Sequence, residues 1–230
     1  MSSGTALITG ANRGIGLGLV ARFLSAGWNV IACCREPERA PALRALAPAP
    51  QLDVHAFDVR DDAALASLVA ALGSRTIDVV INNAGINPTK PRSVEQLDYD
   101  VWRDAFEVNT IAPFRIGVAL RPFLRRSSRP RIITISSQMG SFARNSPGSV
   151  AYRTSKSAVN KAMQLLALEF QSDKIVVCPV HPGWVQTDMG GVGAEITVEE
   201  SADSLFRLVD RLTLNDSGRF FTWDGREHPW

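Results

Sequence analysis

Short apolar runs rich in valine and isoleucine alternate along this chain with longer stretches that have helical spacing. The predicted strands are residues 6–9, 29–33, 54–57, 79–81, 132–135 and 175–180, with a short seventh at 219–222. The predicted helices are residues 14–25, 37–47, 61–72, 99–124, 150–170 and 198–212. This alternation predicts an α/β fold: a single doubly wound (Rossmann) domain over residues 1–230, with a mostly parallel seven-stranded sheet and helices on both faces.

The composition excludes several classes of protein. With 45% apolar residues, 21% charged residues and a net charge of +2, the chain is too apolar, and its net charge too small, for a disordered protein. Its cysteines (Cys33, Cys34 and Cys178) and histidines have no metal-ligand spacing, so neither a disulfide framework nor a metal is predicted. The chain starts without a basic leader and has no run long enough to span a bilayer, which predicts a cytoplasmic protein without a membrane partner.

Arginine dominates the basic residues, and five arginines crowd between Arg121 and Arg131. Such a cluster can bind the phosphates of a nucleic acid, or it can lie at the carboxyl end of a helix and face solvent. Because the net charge is only +2, we expect no nucleic-acid partner.

A glycine-rich turn directly follows the first predicted strand. It reads Thr-Gly-Ala-Asn-Arg-Gly-Ile-Gly from Thr9 to Gly16, and a predicted helix begins within it. Glycines permit a tight turn, and the amides at a helix N-terminus attract a pyrophosphate, so this segment predicts a dinucleotide site. A literal match to the general dinucleotide pattern also occurs at residues 16–21, but we reject it because it lies inside the helix with no strand before it.

Residues after the second and third strands bear on the choice of dinucleotide. Arg35 stands where such folds often carry an acidic residue, and with Arg13 it favours the 2'-phosphate of NADP(H) over NAD(H). The alternatives are that Glu36 bonds the ribose or that Arg35 is a surface residue. Asp58 and Val59 are predicted to meet the adenine, or Asp58 belongs to the cap region of the following helix.

Tyr152 and Lys156 are four residues apart on a predicted helix and therefore share a face. A neighbouring ammonium lowers the pKa of a phenol toward neutral pH, where the phenol can act as a general acid or base. If this pair stood alone, an incidental surface pair would explain it equally well.

Polar segments at other strand ends accompany this pair. They are residues 82–85 (Asn-Asn-Ala-Gly), Asn109, Ser136 with Ser137, Pro182 with Gly183, and Thr187. In a doubly wound sheet the carboxyl ends of the strands converge on one crevice, so these scattered residues predict one site.

These motifs, in this order, resemble those of the short-chain dehydrogenase/reductase family along essentially the whole chain. The matching segments are TGANRGIG, NNAG, the Asn109 position, ISSQMG, YRTSK and HPGWVQT. HPGWVQTDMGG and the final GRFFTWDGREHPW are more narrowly similar to its C-factor and sniffer-type carbonyl reductase branch. The resemblance implies an NADPH-dependent oxidoreductase that reduces a ketone, aldehyde or quinone to an alcohol by hydride transfer. The alternative is a dinucleotide-binding sensor of C-factor type with little turnover.

The resemblance also implies roles for individual residues. Tyr152 would donate a proton to the carbonyl oxygen, and Lys156 would lower the pKa of Tyr152 and bond the nicotinamide ribose. Ser137 would orient the carbonyl, Ser136 would face the core, and Asn109 would hold a water that links Lys156 to solvent. The residues predicted to contact the cofactor are Gly10, Asn12, Arg13, Gly14, Ile15, Gly16, Arg35, Asp58, Val59, Asn83, Ala84, Gly85, Tyr152, Lys156, Pro182, Gly183, Val185 and Thr187.

Substrate and assembly are less constrained by the sequence. Four apolar residues are predicted either to line a substrate pocket or to pack in the core: Met139, Phe142, Trp184 and Met189. Gly190, Gly191 and Gly193, before the last large helix, are typical of a short lid. The stretch from Ser137 to Tyr152 is longer than the commonest family spacing, so we expect a remodelled loop there. The resemblance implies a homodimer or homotetramer.

Overall fold

Parallel strands form one sheet in the order β3-β2-β1-β4-β5-β6-β7. The computed structural model describes residues 4–47, 49–88 and 93–230, so the expectation about the start of the chain lies partly outside the described residues. The strands are β1 (Thr5–Thr9), β2 (Asn29–Cys34), β3 (Leu52–Ala56), β4 (Val79–Asn82), β5 (Arg131–Ile135), β6 (Val176–His181) and β7 (Phe221–Thr222). Every neighbouring pair is parallel, which confirms the predicted fold class and makes the sheet wholly parallel.

Helices cover both faces of this sheet. They are α1 (Gly14–Ser25), α2 (Pro41–Leu46), α3 (Asp62–Leu72), α4 (Tyr99–Phe106), α5 (Ala112–Leu124), α6 (Val150–Glu169) and α7 (Val198–Arg211). Within the described ranges, no helix is long and apolar enough to cross a membrane. The same ranges contain no cluster of three His, Cys, Asp or Glu side chains that could hold a metal ion.

Two hydrophobic clusters, one on each face, explain the uninterrupted apolar runs of the strands. In β1, Ala6 and Ile8 pack into the cluster that α1 and α7 cover, whereas Leu7 packs into the cluster beneath α3, α5 and α6. Successive side chains of a strand point to opposite faces, so a strand buried on both sides needs apolar residues at every position. The central strands therefore lie deep in the core, and their carboxyl ends emerge at one edge.

The predicted helix at 37–47 is interrupted. A single 3-10 turn covers Pro37–Arg39, and α2 begins only at Pro41. Pro41 has no amide hydrogen to bond the Pro37 carbonyl, and a proline also disfavours the helical conformation of the residue before it. Ala40 accordingly has φ −113° and ψ 73°, outside the helical region.

The predicted helix at 99–124 is also not uniform. Between α4 and α5, residues Glu107–Ile111 form a wider π-helical turn. In a regular α-helix the amide of residue 113 would bond the carbonyl of Asn109, but residue 113 is Pro113, which has no amide hydrogen. We attribute the wider turn to this missing bond, and the turn carries Asn109.

The last residue of β6, His181, is a buried histidine. It is 8% exposed, and its Nδ1 atom has no hydrogen-bond partner among the described residues. Burial, together with smaller contributions from the charges of His228 and Arg144, lowers the pKa of His181 from 6.5 to about 4. The unfolded chain therefore binds a proton near pH 6.5 that the folded chain does not bind until about pH 4.

This difference predicts an acid-sensitive stability. The contribution of neutral His181 is complete above pH 6.5 and is lost as the pH falls toward 4, by about 3 kcal/mol in total. The His181→Gln variant, which cannot titrate, is expected to show a shallower fall in the free energy of unfolding over this range. Denaturant titrations of both proteins at several pH values measure the slope, and equal slopes would contradict the assignment.

Candidate active site

The order of the strands reverses between β1 and β4, and a crevice lies at their carboxyl ends. Thr9 ends β1, and its hydroxyl accepts hydrogen bonds from the backbone amides of Asn83 and Ala84, both at 3.1 Å. The side-chain amide of Asn83 donates to the carbonyl oxygens of Thr9 at 2.9 Å and Gly10 at 3.1 Å. The glycine turn and the segment after β4 are therefore bonded to each other across the crevice.

The glycine turn requires glycine at specific positions. Gly10 and Gly14 have φ values of +65° and +52°, in the left-handed region that side chains disfavour. A Cβ atom on Gly16 would lie 2.2 Å from the Gly10 carbonyl oxygen and 2.5 Å from Nδ2 of Asn83. The start of α1 therefore lies as close to the Gly10 carbonyl and to the Asn83 side chain as bare glycine allows.

The N-terminus of α1 is without a side-chain cap. Arg13 occupies the N-cap position and makes no cap hydrogen bond, and the first turn contains no acidic residue. In contrast, Asp61 caps α3 and Thr197 caps α7 through side-chain oxygens. Free amides at an uncapped helix N-terminus attract an anion. In α1 this N-terminus lies between Asn12 and Ile15. This arrangement fits the pyrophosphate of a dinucleotide.

The two arginines predicted to contact a 2'-phosphate differ in their surroundings. Arg13 is exposed, and its Nη1 atom lies 2.6 Å from a carboxylate oxygen of Asp188, in the segment after β6. Arg35 directly follows β2 and is also exposed. The sequence offered no sign of the Arg13–Asp188 pair, because 175 positions separate the two residues.

Asp58 does not cap α3, because Asp61 occupies that position. The Asp58 carboxylate holds Nη2 of Arg60 at 2.8 Å. This hydrogen bond, together with the nearby charge of Arg35, keeps the pKa of Asp58 below its usual value. Val59 is buried beside it. Asp58 therefore lies in the turn that leads into the Asp61 cap, and its predicted contact with adenine stays a prediction.

Lys156 is buried in the crevice, and its Nζ atom donates to the carbonyl oxygen of Ile135 at 2.8 Å. Burial lowers the pKa of Lys156 from 10.5 to about 8. A Cβ atom on Gly85 would lie 3.2 Å from Oδ1 of Asn109 and 3.5 Å from Nζ of Lys156. The loop after β4, the π-helical turn and α6 therefore meet at this point.

Asn109 connects that loop to α6. Its Nδ2 atom donates to the carbonyl oxygen of Ile86 at 2.8 Å and to Oγ of Ser155 at 3.0 Å, while its Oδ1 atom accepts from the amide of Ile86 at 2.9 Å. The predicted water at Asn109 stays a prediction.

Tyr152 is buried, and Ser137 lies beside it. Burial raises the pKa of Tyr152 above its usual value, and hydrogen bonding with the Ser137 hydroxyl opposes the rise. The sequence predicted the opposite shift, a pKa of Tyr152 lowered by the neighbouring ammonium of Lys156. In the structure, Nζ of Lys156 lies 5.7 Å from the centre of the Tyr152 ring and bonds the carbonyl oxygen of Ile135. Burial of the phenol therefore determines the direction of the pKa shift. The phenol is therefore neutral and holds its proton at neutral pH.

The neighbouring serine points elsewhere. Ser136 is buried and its hydroxyl donates to Oδ1 of Asn160 at 2.5 Å, in agreement with its predicted direction toward the core. The Ser137 hydroxyl accepts from the amide of Met139 at 3.1 Å. Of the two serines, Ser137 is the one beside Tyr152.

The segment after β6 closes the other side of the crevice. Gly183 has φ +91°, and the carbonyl oxygen of Pro182 accepts from the Ser201 hydroxyl at 2.7 Å, which ties the segment to α7. Val185 is buried and forms a β-bridge with Ile196.

Thr187 lies against the glycine turn. A Cβ atom on Gly14 would lie 3.3 Å from the Thr187 methyl group. The Thr187 hydroxyl accepts from the amide of Gly190 at 3.1 Å, so the segment folds over the N-terminus of α1.

Sequence reasoning missed two residues of the site. Ser155 donates to the carbonyl oxygen of Tyr152 at 2.7 Å while accepting from Asn109, and it is fully buried. Gly140 packs so closely on α6 that a Cβ atom would lie 2.6 Å from the backbone carbon of Lys156. Both residues lie within segments that the sequence had already singled out, YRTSK and ISSQMG, and proximity to the predicted residues was the available signal.

Three of the four predicted pocket or core residues are at the surface. Phe142 is 81% exposed, Met189 50% and Trp184 47%, so the core alternative is wrong for them. Trp184 donates from Nε1 to the carbonyl oxygen of Gly190 at 2.8 Å and thereby fixes the loop fold. Met139 is half-buried.

Comparison with known proteins decides the family. Residues 4–195 match the family model described as short chain dehydrogenase. The chain belongs to the short-chain dehydrogenases. It is therefore an NAD(P)-dependent oxidoreductase of that family, and the resemblance inferred from the sequence motifs is confirmed.

Individual members of the short-chain dehydrogenase family are similar over most of this chain. The C-signal protein of Myxococcus xanthus is 38% identical over 155 residues, which cover 67% of this chain and 93% of that protein. The structure of the carbonyl reductase Sniffer of D. melanogaster superposes with a TM-score of 0.95 at 32% identity, and all of both chains is covered. An NADPH-bound carbonyl reductase from chicken fatty liver superposes with a TM-score of 0.93 at 32% identity, again with full coverage.

Proposed function

We propose that this protein is an NADPH-dependent carbonyl reductase that converts a ketone, aldehyde or quinone to an alcohol. The observation that carries the proposal is the convergence of Tyr152, Ser137 and Lys156 at the same carboxyl edge of the sheet as the uncapped N-terminus of α1. The likeness to carbonyl reductases, including the NADPH-bound chicken protein, supports it. When bound, NADPH supplies a hydride to the carbonyl carbon.

Tyr152 donates the proton in this proposal. Its raised pKa keeps the proton on the phenol at neutral pH, as reduction requires. Ser137, beside the phenol, orients the carbonyl oxygen. Lys156, which is held by Ile135, offers a buried cation that stabilises the phenolate formed after proton transfer and bonds the nicotinamide ribose. Asn109 fixes the loop that adjoins both residues.

The residues along the crevice would hold the cofactor. The N-terminus of α1 would bind the pyrophosphate, and Asn83, Ala84 and Gly85 would adjoin a ribose. Asp58 and Val59 would meet the adenine. Pro182, Gly183, Val185 and Thr187, which follow β6 at the carboxyl edge of the sheet, would border the nicotinamide.

Arg35 selects NADPH over NADH in this proposal. Titration with each cofactor, followed by loss of reduced-cofactor absorbance with a panel of carbonyl compounds, tests the function. Arg35→Ala is expected to weaken NADPH binding by about tenfold to a hundredfold and to leave NADH binding unchanged, because a charged hydrogen bond to phosphate is lost. The matched control is Arg39→Ala, an exposed arginine four positions along that pairs with Glu36.

The outcomes separate the candidates. Tight NADPH binding with turnover supports the reductase. Binding of NADPH without turnover of any carbonyl compound favours a dinucleotide sensor, the alternative that the similarity to the C-signal protein raises. An Arg35→Ala variant with unchanged NADPH affinity would contradict the assigned role of Arg35.

Asp188 competes with the cofactor for Arg13 in this proposal, because the two side chains already form an ion pair. Asp188→Asn is therefore expected to tighten NADPH binding by about twofold to fivefold, the size expected when one exposed ion pair is removed. The affinity for NADH, which has no 2'-phosphate, should stay the same. Weaker NADPH binding in the variant would instead indicate that Asp188 holds Arg13 in its binding position.

A homodimer or homotetramer is the proposed assembly. Apolar side chains are exposed on two neighbouring helices: Ile111, Phe114 and Val118 at α5, and Leu165 and Leu168 on α6. Such a face is typical of a subunit interface.

A further inference from the structure

A cavity of about 650 Å³ opens beside Tyr152. Its walls are the loop after β4 (Ile86, Asn87 and Pro88), the start of α4 with the residues before it (96–98), and residues 149–152 at the start of α6. The cavity is separate from the glycine turn and from the segment after β6, which border the proposed cofactor site. It is large enough for a substituent several carbons long on a carbonyl compound held at Tyr152.

Ser149 lines this cavity and its hydroxyl is unsatisfied. The residue is 5% exposed, and its Oγ atom has no hydrogen-bond partner among the described residues. Serine at an N-cap position normally accepts a hydrogen bond from the first turn of its helix. Ser149 occupies the N-cap position of α6 and makes no such bond, whereas Asp61 and Thr197 do so at α3 and α7. Helix capping therefore does not account for this hydroxyl.

An unpaired buried hydroxyl costs free energy, so a protein that keeps one usually gives it a partner from outside the chain. Ser149 directly precedes α6 and Tyr152 lies in its first turn, and both residues line this cavity. Rotation about the single Cα–Cβ bond turns the hydroxyl without moving the backbone. A molecule in the cavity can therefore meet Ser149 and Tyr152 together.

The charges of the cavity wall restrict what that molecule carries. Three carboxylates line it, from Asp98, Asp100 and Asp104, and no lysine or arginine lines it among the described residues. Asp100 is paired with Arg103, and Asp104 with Arg60, whereas among the described residues the Asp98 carboxylate accepts only from backbone amides of α4. The part of the wall that the structure describes therefore disfavours an anion and favours a hydroxyl or a protonated amine.

We infer that Ser149 is a substrate-positioning residue, and that the substrate is a carbonyl compound bearing a hydroxyl or amino group away from the carbonyl. The Ser149 hydroxyl bonds this group within the cavity while the carbonyl lies at Tyr152. The inference rests on the proposed function, since it places the carbonyl of the same reaction. It adds the class of substrate and the residue that selects it.

The test compares acetophenones that differ only at the para position. The substituents are hydroxymethyl, aminomethyl, ethyl and carboxylate, the ethyl group being the apolar match in size to the first two. Dissociation constants are measured by ligand-observed NMR in the presence of NADP⁺, which cannot reduce the ketone, and kcat/KM is measured with NADPH. The binding measurement needs no turnover.

Wild-type protein is expected to prefer the hydroxymethyl or aminomethyl ketone over the ethyl ketone by about tenfold, and to bind the carboxylate most weakly. Ser149→Ala and Ser149→Gly are expected to lose this preference in both measurements while keeping the affinity for the ethyl ketone. Agreement between the two variants assigns the effect to the hydroxyl, because only the glycine variant also relieves the left-handed backbone of residue 149 (φ +52°). Ser146→Ala, in the same loop but exposed, is the matched control and should keep the preference.

An unchanged preference in Ser149→Ala, or tightest binding of the carboxylate, overturns the inference. The results that would contradict the proposed function are distinct from those that would contradict the role of Ser149. Binding that depends on Ser149 without turnover of any ketone overturns the reductase proposal and leaves the positioning role supported. Turnover with equal kcat/KM for the ethyl and hydroxymethyl ketones supports the reductase and overturns the role of Ser149.

Discussion

Tyr152→Phe is expected to lower kcat for carbonyl reduction by about a hundredfold to ten-thousandfold, the range typical of a lost general acid. The variant removes one oxygen from a buried ring, so the packing of α6 and the affinity for NADPH should both stay as they are. Stopped-flow and steady-state rates with one ketone, together with a fluorescence titration of NADPH, measure the two quantities separately.

The only other tyrosine provides the control. Tyr99 is 63% exposed at the start of α4, and Tyr99→Phe removes the same atom away from the crevice. Its kcat should equal that of the wild type. Turnover retained in Tyr152→Phe would rule out the phenol as the proton donor, and loss of NADPH affinity in that variant would indicate a binding role instead.

Gly16→Ala is expected to weaken NADPH binding by about a hundredfold, the loss expected when a binding group is displaced by about 1 Å. The added Cβ atom would lie 2.2 Å from the Gly10 carbonyl oxygen, a backbone atom, so the start of α1 must move away from the turn that follows β1. The same overlap should lower the free energy of unfolding by about 1–3 kcal/mol. Calorimetric titration of NADPH and denaturant unfolding measure the two effects.

Gly18→Ala, two residues along α1, is the matched control. Its added Cβ atom would meet a methyl group of Val198 at 2.5 Å, and a side chain can yield where backbone cannot. We expect lower stability with retained NADPH affinity. Equal loss of NADPH affinity in both variants would contradict our rejection of the glycine pattern at 16–21 as a phosphate site.

The alternation of strands and helices was predictable because burial on both faces leaves a direct record in the sequence. Strand β4 is apolar at Val79, Val80 and Ile81, and the observed strand extends that prediction by one residue. The two interrupted helices were not predicted, because apolar spacing continues through Pro41 and Pro113 while the backbone hydrogen bonding does not. Hydrophobic periodicity is thus insensitive to a single missing amide hydrogen.

The candidate site was predictable where motif and strand end coincide, as at Asn83 and Tyr152. The features of the site that could not be predicted depend on contacts between residues far apart in the sequence or on the burial of a side chain in the folded protein. The Arg13–Asp188 pair joins residues 175 positions apart. The direction of the Tyr152 pKa depends on burial, which the spacing to Lys156 does not reveal. The unpaired hydroxyl of Ser149 is a property of its left-handed backbone and surroundings, and serine at a helix start predicts an ordinary cap.

The wide turn at Glu107–Ile111 accommodates one residue more than a regular helical turn would hold between α4 and α5. The wider ring of backbone hydrogen bonds takes up the added residue, so the turn advances and rotates the chain by nearly as much as an α-helical turn does. Deleting one residue of it would therefore leave α4 close to its present orientation, with Nε1 of Trp102 still within reach of Thr154. The same deletion would remove the bulge that carries Asn109, whose side chain bonds Ile86 and Ser155. The extra residue thus fixes the position of one side chain without altering the packing of the helices around it.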